Sequence, residues 1–425
     1  MLNLDSLQAT QVAPFHAGFV QPLYDTYNFA GLPRQIQYFL TGLGGPGLAA
    51  PAFARLRERY DAVVLMYIDA LGWRFYEQFK DRSPALQHLL QQGVVSKITA
   101  QFPSTTAAHT TNIHTGLTPA QSGVYEWYIY EPAVDAIIAP LLFSYAGETQ
   151  REQLKQAGMS PETLFPTQTI YKNLRQNGVA SYIYQRADIA FTSPGSVLFD
   201  PANVFPYATL TEAFITLGKR LQSQTQPAYH FLYYSPIDTM CHEYGPSSIE
   251  ADAEVDSFLM LLQRQFLDRF AGKQNKKVLL LITSDHGQMD VSPKTTFYIN
   301  QEIPGFRNYI QLNRRGQPLV PAGSPRDLFL HIRPDMLNEA QHVLSVHLEG
   351  KALVIPTQDL IDQGYFGPTP ASEALRSRVA NLCILPYKNE SVYWYAKGKY
   401  EQKHYGHHGG LSPEEMEIPL LACEL

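Results

Sequence analysis

Three short apolar runs, residues 63–68, 229–234 and 278–283, limit most strongly what this chain can fold into. Each is six residues long and free of carboxylate, Lys or Arg, the texture of a strand covered on both faces of a sheet. Between the last two lies 248–271, where Phe258, Leu259, Leu262, Phe266 and Leu267 recur at helical spacing. Strands alternating with helices predict an α/β fold, a mostly parallel sheet sandwiched by helices. In such sheets sites gather at the carboxyl ends of strands, which is where Asp69, Asp238 and Asp285 fall.

A chain of 425 residues accommodates one large α/β domain with an insertion, or two domains. Residues 1–60, rich in Pro, Gly and aromatics, read as an N-terminal arm packed on the core, with helical pieces at 32–41 and 51–60. A helix is predicted over 84–92, with Ser83 as N-cap and Pro84 in the first helical position, and a further strand at 181–184. After residue 290 the texture changes. Strands at 326–332, 352–355 and 381–385 mix with helices at 334–348 and 371–380. This predicts a small α+β insertion or cap over 291–390, with 61–290 and 391–425 forming the catalytic core.

A net charge of −6 gives no reason to expect nucleic acid or an anionic membrane as partner. A phosphate-bearing substrate would have to be attracted locally. Three scattered cysteines, Cys241, Cys383 and Cys423, do not make a disulfide framework and read as free thiols. The N-terminus lacks a basic segment followed by an apolar one, and no run reaches the ~18 apolar residues of a membrane span. The expectation is a cytoplasmic protein.

The chemistry starts at Asp285-His286-Gly287, directly after the third apolar run: a hard oxygen donor, a borderline nitrogen donor and a residue suited to a tight turn. Asp238 and His242 are four residues apart, which on a helix puts both on one face, able to share a metal. His408 lies in the Gly-rich Gly406-His407-His408-Gly409. The stretch from Phe102 to Thr111 crowds hydroxyls onto the start of a predicted helix, whose free N–H groups suit a phosphate oxygen. Taken alone, that stretch reads as N-capping by Ser104 or Thr105. The metal-type residues around it favour an activated threonine nucleophile.

Taken together, Ile68-Asp69-Ala70-Leu71-Gly72, Phe102-Pro103-Ser104-Thr105-Thr106, Thr115-Gly116-Leu117, Asp238-x-x-x-His242-x-Tyr244-Gly245, Ser284-Asp285-His286-Gly287 and Gly406-x-His408-Gly409 resemble the alkaline phosphatase superfamily. Within it the chain is most similar to the type I phosphodiesterase/nucleotide pyrophosphatase group, with the motifs in family order from Asp69 to His408. The resemblance implies two divalent ions, zinc first and manganese as the alternative. Asp238, His242 and His408 would match the ligands of one ion, and Asp69, Thr106, Asp285 and His286 those of the other. Thr106 would match the nucleophile, with Thr105 the fallback. It would attack phosphorus in line to give a covalent phosphothreonine, with retention overall. The substrate would be a small phosphoester, nucleotide-like in the group's pattern.

One departure concerns the substrate. Where the group carries an Asn that holds a phosphate oxygen, this chain has Trp127, in Ser122-Gly123-Val124-Tyr125-Glu126-Trp127. The replacement donor is expected from the Ala107 backbone N–H, Asn112 or His109. Trp127, Tyr128 and Tyr130 are stacking candidates or ordinary buried aromatics. His407 reads as a solvent-facing turn residue and Arg74 as a surface cation. Three alternatives use the same frame: a phosphomonoesterase, a phosphotransferase or mutase, and a non-catalytic binding member. No Cys- or Ser-x-Pro-x-Arg pattern supports a sulfatase.

Overall fold

Ala62–Ile68 (β1) is buried along its whole length and divides the core. Val63, Leu65 and Tyr67 face one apolar cluster, while Ala62, Val64, Met66 and Ile68 face another. The run therefore has to be continuous rather than alternating, because both faces are covered. The computed structural model describes residues 1–11, 16, 18–273, 276–368 and 370–425.

With β1, the strands of the two largest sheets are Val94–Thr99 (β2), Ala180–Arg186 (β3), Asn203–Tyr207 (β4), Ala228–Tyr234 (β5), Val278–Thr283 (β6), Ala322–Ser324 (β7), Asp327–Leu330 (β8), Ala352–Pro356 (β9), Leu382–Pro386 (β10) and Glu417–Glu424 (β11). Seven form the main sheet in the order β2-β11-β6-β1-β5-β3-β4. β1 pairs in parallel with β5 and β6, and β3 with β4 and β5; β11 is antiparallel to both of its neighbours. The sheet is thus mostly parallel, as the alternation of strands and helices predicts.

Helices Leu32–Thr41 (α1) and Thr106–Thr115 (α3) pack on the first cluster through residues such as Ile36 and Ile113. Pro84–Gln92 (α2), Leu210–Ser223 (α4) and Ile249–Leu261 (α6) pack on the second through Leu89, Phe214 and Phe258. Ser83 caps α2 by accepting the Leu86 N–H, and Pro84 occupies its first turn. The helix predicted to 271 continues past α6 as a π-turn over Leu262–Leu267, which keeps Leu262, Phe266 and Leu267 buried. Each such side chain stabilises the fold by roughly 1.5–3 kcal/mol.

One detail differs from expectation. Residues 51–60 do not form a helix beyond a single turn at Ala50–Phe53. The chain there is pulled outward, with the Arg57 N–H and the Tyr60 hydroxyl both donating to Glu424 at the end of β11. β11 itself contains Pro419, which argues against a central strand. The Pro419 carbonyl accepts the Thr283 hydroxyl at 2.7 Å. β2 carries Ser96 and Lys97, yet every one of its residues is buried.

Within 291–390 lies a separate four-stranded antiparallel sheet, β7-β8-β10-β9, beside the helix Leu337–His347 (α7), with its own apolar cluster. Its β7–β8 hairpin reaches the main sheet's carboxyl edge, where the Ser324 hydroxyl donates to the His408 carbonyl at 2.9 Å. Among the described residues no helix is long and apolar enough to cross a membrane.

Candidate active site

Because β1, β5 and β6 run in parallel, their carboxyl ends deliver Asp69, the start of Pro236–Tyr244 (α5) and Asp285 to one edge. Asp238 lies in the first turn of α5 and His242 one turn later. Ala70, after Asp69, takes a left-handed φ of 60°, and its N–H donates to Asp285 Oδ1 at 3.2 Å. Glycines complete the turn, since a Cβ on Gly287 would stand 2.2 Å from the Glu414 carbonyl oxygen.

Thr106 is the first residue of α3, and its Oγ1 lies 3.2 Å from His286 Nε2. His286 Nε2 is also 3.2 Å from Asp285 Oδ2 and 3.6 Å from Asp69 Oδ1. Asp238 Oδ1 is 3.4 Å from His242 Nε2 and 3.9 Å from His408 Nε2. Two compact donor sets result: Asp69, Asp285 and His286, and Asp238, His286 and His408. His286 joins both sets, whereas His242 reaches in through Asp238.

All three imidazoles are oriented in the same way. His286 Nδ1 donates to the Gly287 carbonyl at 3.0 Å, His242 Nδ1 to Gly406 at 2.8 Å and His408 Nδ1 to Ser104 at 3.0 Å. A carbonyl can only accept, so each Nδ1 carries a proton and each Nε2 is turned toward the carboxylates. The carboxylates are held likewise: Tyr233 donates to Asp69 Oδ2, Gln288 to Asp238 Oδ1, and Ser284 to Asp285 Oδ1. Asp69 Oδ1 and Asp285 Oδ2 are buried and have no hydrogen-bond partner.

The electrostatics describe a site that needs a cation. Burial, then the Asp285 and Asp238 carboxylates, push the Asp69 carboxyl well above its ordinary range. Burial acts in the same direction on Asp285, but His286 beside it outweighs that and holds it low. Burial, followed by His286 and His242, holds His408 well below the usual imidazole value. Orphaned carboxylate oxygens, inward-facing Nε2 atoms and backbone-anchored Nδ1 groups together fit divalent metal ions.

Neither Ser104 nor Thr105 caps α3 through its side chain. The Ser104 hydroxyl donates instead to the Gly410 carbonyl at 2.8 Å, pinning the segment that carries His408. The first-turn N–H groups of α3, that of Ala107 included, therefore lack a side-chain acceptor beside Thr106. Asn112 does not join them. At about 100° per residue it sits ~240° around the helix from Thr106, on a different face, and it is fully buried outside both clefts described below. His109 is also taken, accepting the Gln101 N–H and contacting the Thr105 carbonyl.

Thr106, Asp238 and Trp127 border two clefts. One, about 320 Å³, has apolar walls that include Leu198, Phe199 and Phe231, with Arg151 and Arg186 at hand. The other, about 370 Å³, holds Glu126, Tyr128, Tyr393, Tyr400 and His404. His407, expected in solvent, lines this second cleft. Tyr130 lies outside both, against the His331 ring, and Arg74 is paired with Asp290 at 3.1 Å. The residues that sequence reasoning missed are those that hold others in place: Tyr233, Gln288, Ser104 and Ser324. Proximity to a motif could have flagged Gln288, two residues beyond His286. Nothing local marks the rest.

The pattern of the type I phosphodiesterase / nucleotide pyrophosphatase family matches residues 63–411. Human ectonucleotide pyrophosphatase/phosphodiesterase family member 1 is 23% identical over 274 residues, 62% of this chain, and the chain spans about a quarter (27%) of that protein's length. Among solved structures, an inactive variant of murine ectonucleotide pyrophosphatase/phosphodiesterase 5 with AMP superposes with a TM-score of 0.62 at 17% identity, covering 84% of this chain and 87% of that one. Phosphonoacetate hydrolase from Sinorhizobium meliloti 1021 with phosphonoformate gives 0.60 at 16% identity, covering 84% and 89%. At these identities the two structures share the fold with this chain. With the family pattern covering most of its length, this chain belongs to the type I phosphodiesterase/nucleotide pyrophosphatase family, a family of phosphoric ester hydrolases.

Proposed function

We propose that the chain hydrolyses phosphodiester or pyrophosphate bonds through a covalent phosphothreonine at Thr106. The observation that carries this is Thr106 Oγ1, at a helix N-terminus, 3.2 Å from Nε2 of His286, the imidazole common to both donor sets. Asp69, Thr106, Asp285 and His286 would hold one divalent ion and Asp238, His242 and His408 the other, zinc fitting the mixed donors and manganese being the alternative. Bound there, the pair would neutralise charge on the entering and leaving oxygens and lower the pKa of the nucleophilic hydroxyl.

The chain's own residues do the rest. The turn before α3 aims Oγ1, and the Ala107 N–H donates to a non-bridging phosphoryl oxygen. Oγ1 gives up its proton to water and bonds to phosphorus as the bond to the departing alcohol breaks, and that alcohol takes a proton from water in turn. Water then attacks phosphorus from the vacated side, the phosphorus–Oγ1 bond breaks, and the Thr106 hydroxyl is restored. Two inversions leave retention overall. Clefts on both sides of Thr106 give room for two organic substituents, which favours a diester over a monoester. The AMP and phosphonoformate carried by the two related structures support a small, nucleotide-like substrate. Residues 291–390 would act as the cap, since Gly323, Ser324 and Pro325 wall the second cleft.

The test compares bis-p-nitrophenyl phosphate with p-nitrophenyl phosphate on zinc-loaded protein. The diester should be turned over faster; a much faster monoester would replace this reading with phosphomonoesterase chemistry. Thr106→Ala should abolish turnover and retain metal, and acid-quenched wild type should carry phosphate on Thr106. Residual turnover would shift the nucleophile to Thr105.

A further inference from the structure

The phosphoryl-transfer steps leave one buried acid beside Thr106 unused. Glu126 is fully buried in the wall of the second cleft, the one bordered by Asp238, His242 and His408. Its Oε2 accepts the Trp127 N–H, but Oε1 has no hydrogen-bond partner. Among the described residues no cation pairs with it. Lys399, in the same wall, is bonded to Glu148 at 2.7 Å, and Arg326 is bound to Glu415. Burial lifts the Glu126 carboxyl to about 7, against the lowering by the Trp127 N–H, the Thr105 hydroxyl, His286 and the Tyr128 N–H. A buried carboxylate oxygen left without a donor is costly, and a fold keeps few of them.

The rest of that cleft suits a cation. Trp127, Tyr128, Tyr393 and Tyr400 line it, and the Tyr128 and Tyr400 rings meet at 77° with centroids 6.0 Å apart. Aromatic faces attract ammonium groups, most strongly where water is scarce. The first cleft has Arg151 and Arg186 in its lining, and Arg186 is paired with Asp188 at 2.7 Å.

We propose that Glu126 reads the leaving alcohol of the substrate, its Oε1 accepting a hydrogen bond from a positively charged primary amine carried by that alcohol. This rests on the phosphodiesterase reading, in which the Asp238, His242 and His408 side faces the departing oxygen. It narrows the substrates to phosphodiesters of amino alcohols. Glu126 is then a specificity residue next to Trp127, where the family's phosphate-holding Asn is missing.

The test uses two esters that differ by an ammonium against a methyl group of similar size: methyl 2-aminoethyl phosphate and methyl propyl phosphate. Zinc-loaded wild type is assayed by phosphorus NMR, with methyl phosphate as the product of both. The aminoethyl ester should be favoured roughly tenfold or more in kcat/KM, the size of one charge-assisted hydrogen bond. In Glu126→Gln that ratio should fall to about one, whatever the variant's overall rate. Should the variant not fold, ethanolamine should inhibit wild-type hydrolysis of bis-p-nitrophenyl phosphate about tenfold more strongly than n-propanol, by the same bond. A wild-type ratio near one, a ratio unchanged in Glu126→Gln, or a preference for methyl 2-hydroxyethyl phosphate over the aminoethyl ester would overturn the assignment. If bis-p-nitrophenyl phosphate is cleaved without any advantage for the amine, this inference falls alone. If no ester is cleaved, the hydrolase reading falls and this one with it.

Discussion

Glu415→Gln should be among the most damaging single changes outside the active site. Arg326 and Glu415 are both fully buried, and their side chains meet through two bonds, 3.1 Å from Nε and 2.8 Å from Nη2. The guanidinium also donates to the Tyr387 carbonyl at 2.8 Å, and the carboxylate accepts the Gly410 N–H at 3.0 Å. At 2.8 Å and an effective dielectric near 20 the pair attracts by ~6 kcal/mol before desolvation is counted. Removing one charge leaves the other buried and unpaired, which costs about 3–5 kcal/mol. The effect should also reach the site, because Glu415 anchors Gly410 and Ser412, next to His408. In urea unfolding followed by circular dichroism, Glu415→Gln should lose that amount. Metal analysis of the folded variant should show a deficit. The double variant Arg326→Met/Glu415→Leu should recover a large part of the stability, since an apolar pair needs no desolvation of charge. A loss below about 1 kcal/mol for Glu415→Gln would refute the argument that this pair is cut off from water.

Gly287→Ala should destabilise the protein by about 1–3 kcal/mol and reduce metal content, because the new Cβ meets the Glu414 carbonyl at 2.2 Å and the turn carrying Asp285 and His286 must shift. An unaltered melting temperature would show that the turn can yield. The protein should also weaken steeply in acid. Burial holds His109 and His331 at about 4, and His114 and His230 at about 3. With unfolded values near 6.5, these groups contribute full stability above that pH. They lose it as pH falls toward their folded values, each at up to ~1.4 kcal/mol per pH unit. His331→Leu, far from the carboxyl edge, should make the fall between pH 6 and 4.5 shallower by about one such slope; an unchanged slope would mean that His331 is not buried neutral.

Much of the site could be read from the chain because its carriers are local. Asp69 and Asp285 directly follow six-residue apolar runs, and the Asp238–His242 spacing survives as one turn of α5. What failed was non-local or geometric. Asn112 sat close in sequence to Thr106, yet the helical rotation carried it to another face. His407 looked like a turn residue until the fold wrapped its turn around the second cleft.

The sequence by itself determined the chemistry on offer: a hydroxyl at a helix start, three carboxylates at or just past strand ends, two imidazoles in turns and one on a helix, and the family to which they belong. Such features depend on short-range periodicity and residue type, which local segments carry intact. Tertiary structure decided which groups meet. The order β6-β1-β5 brought His286 between both carboxylate sets, the 322–330 hairpin fixed the segment carrying His408, and closure of the second cleft left Glu126 without a partner. Those encounters join residues tens to hundreds of positions apart. They are set by sheet order and packing, which no local pattern encodes.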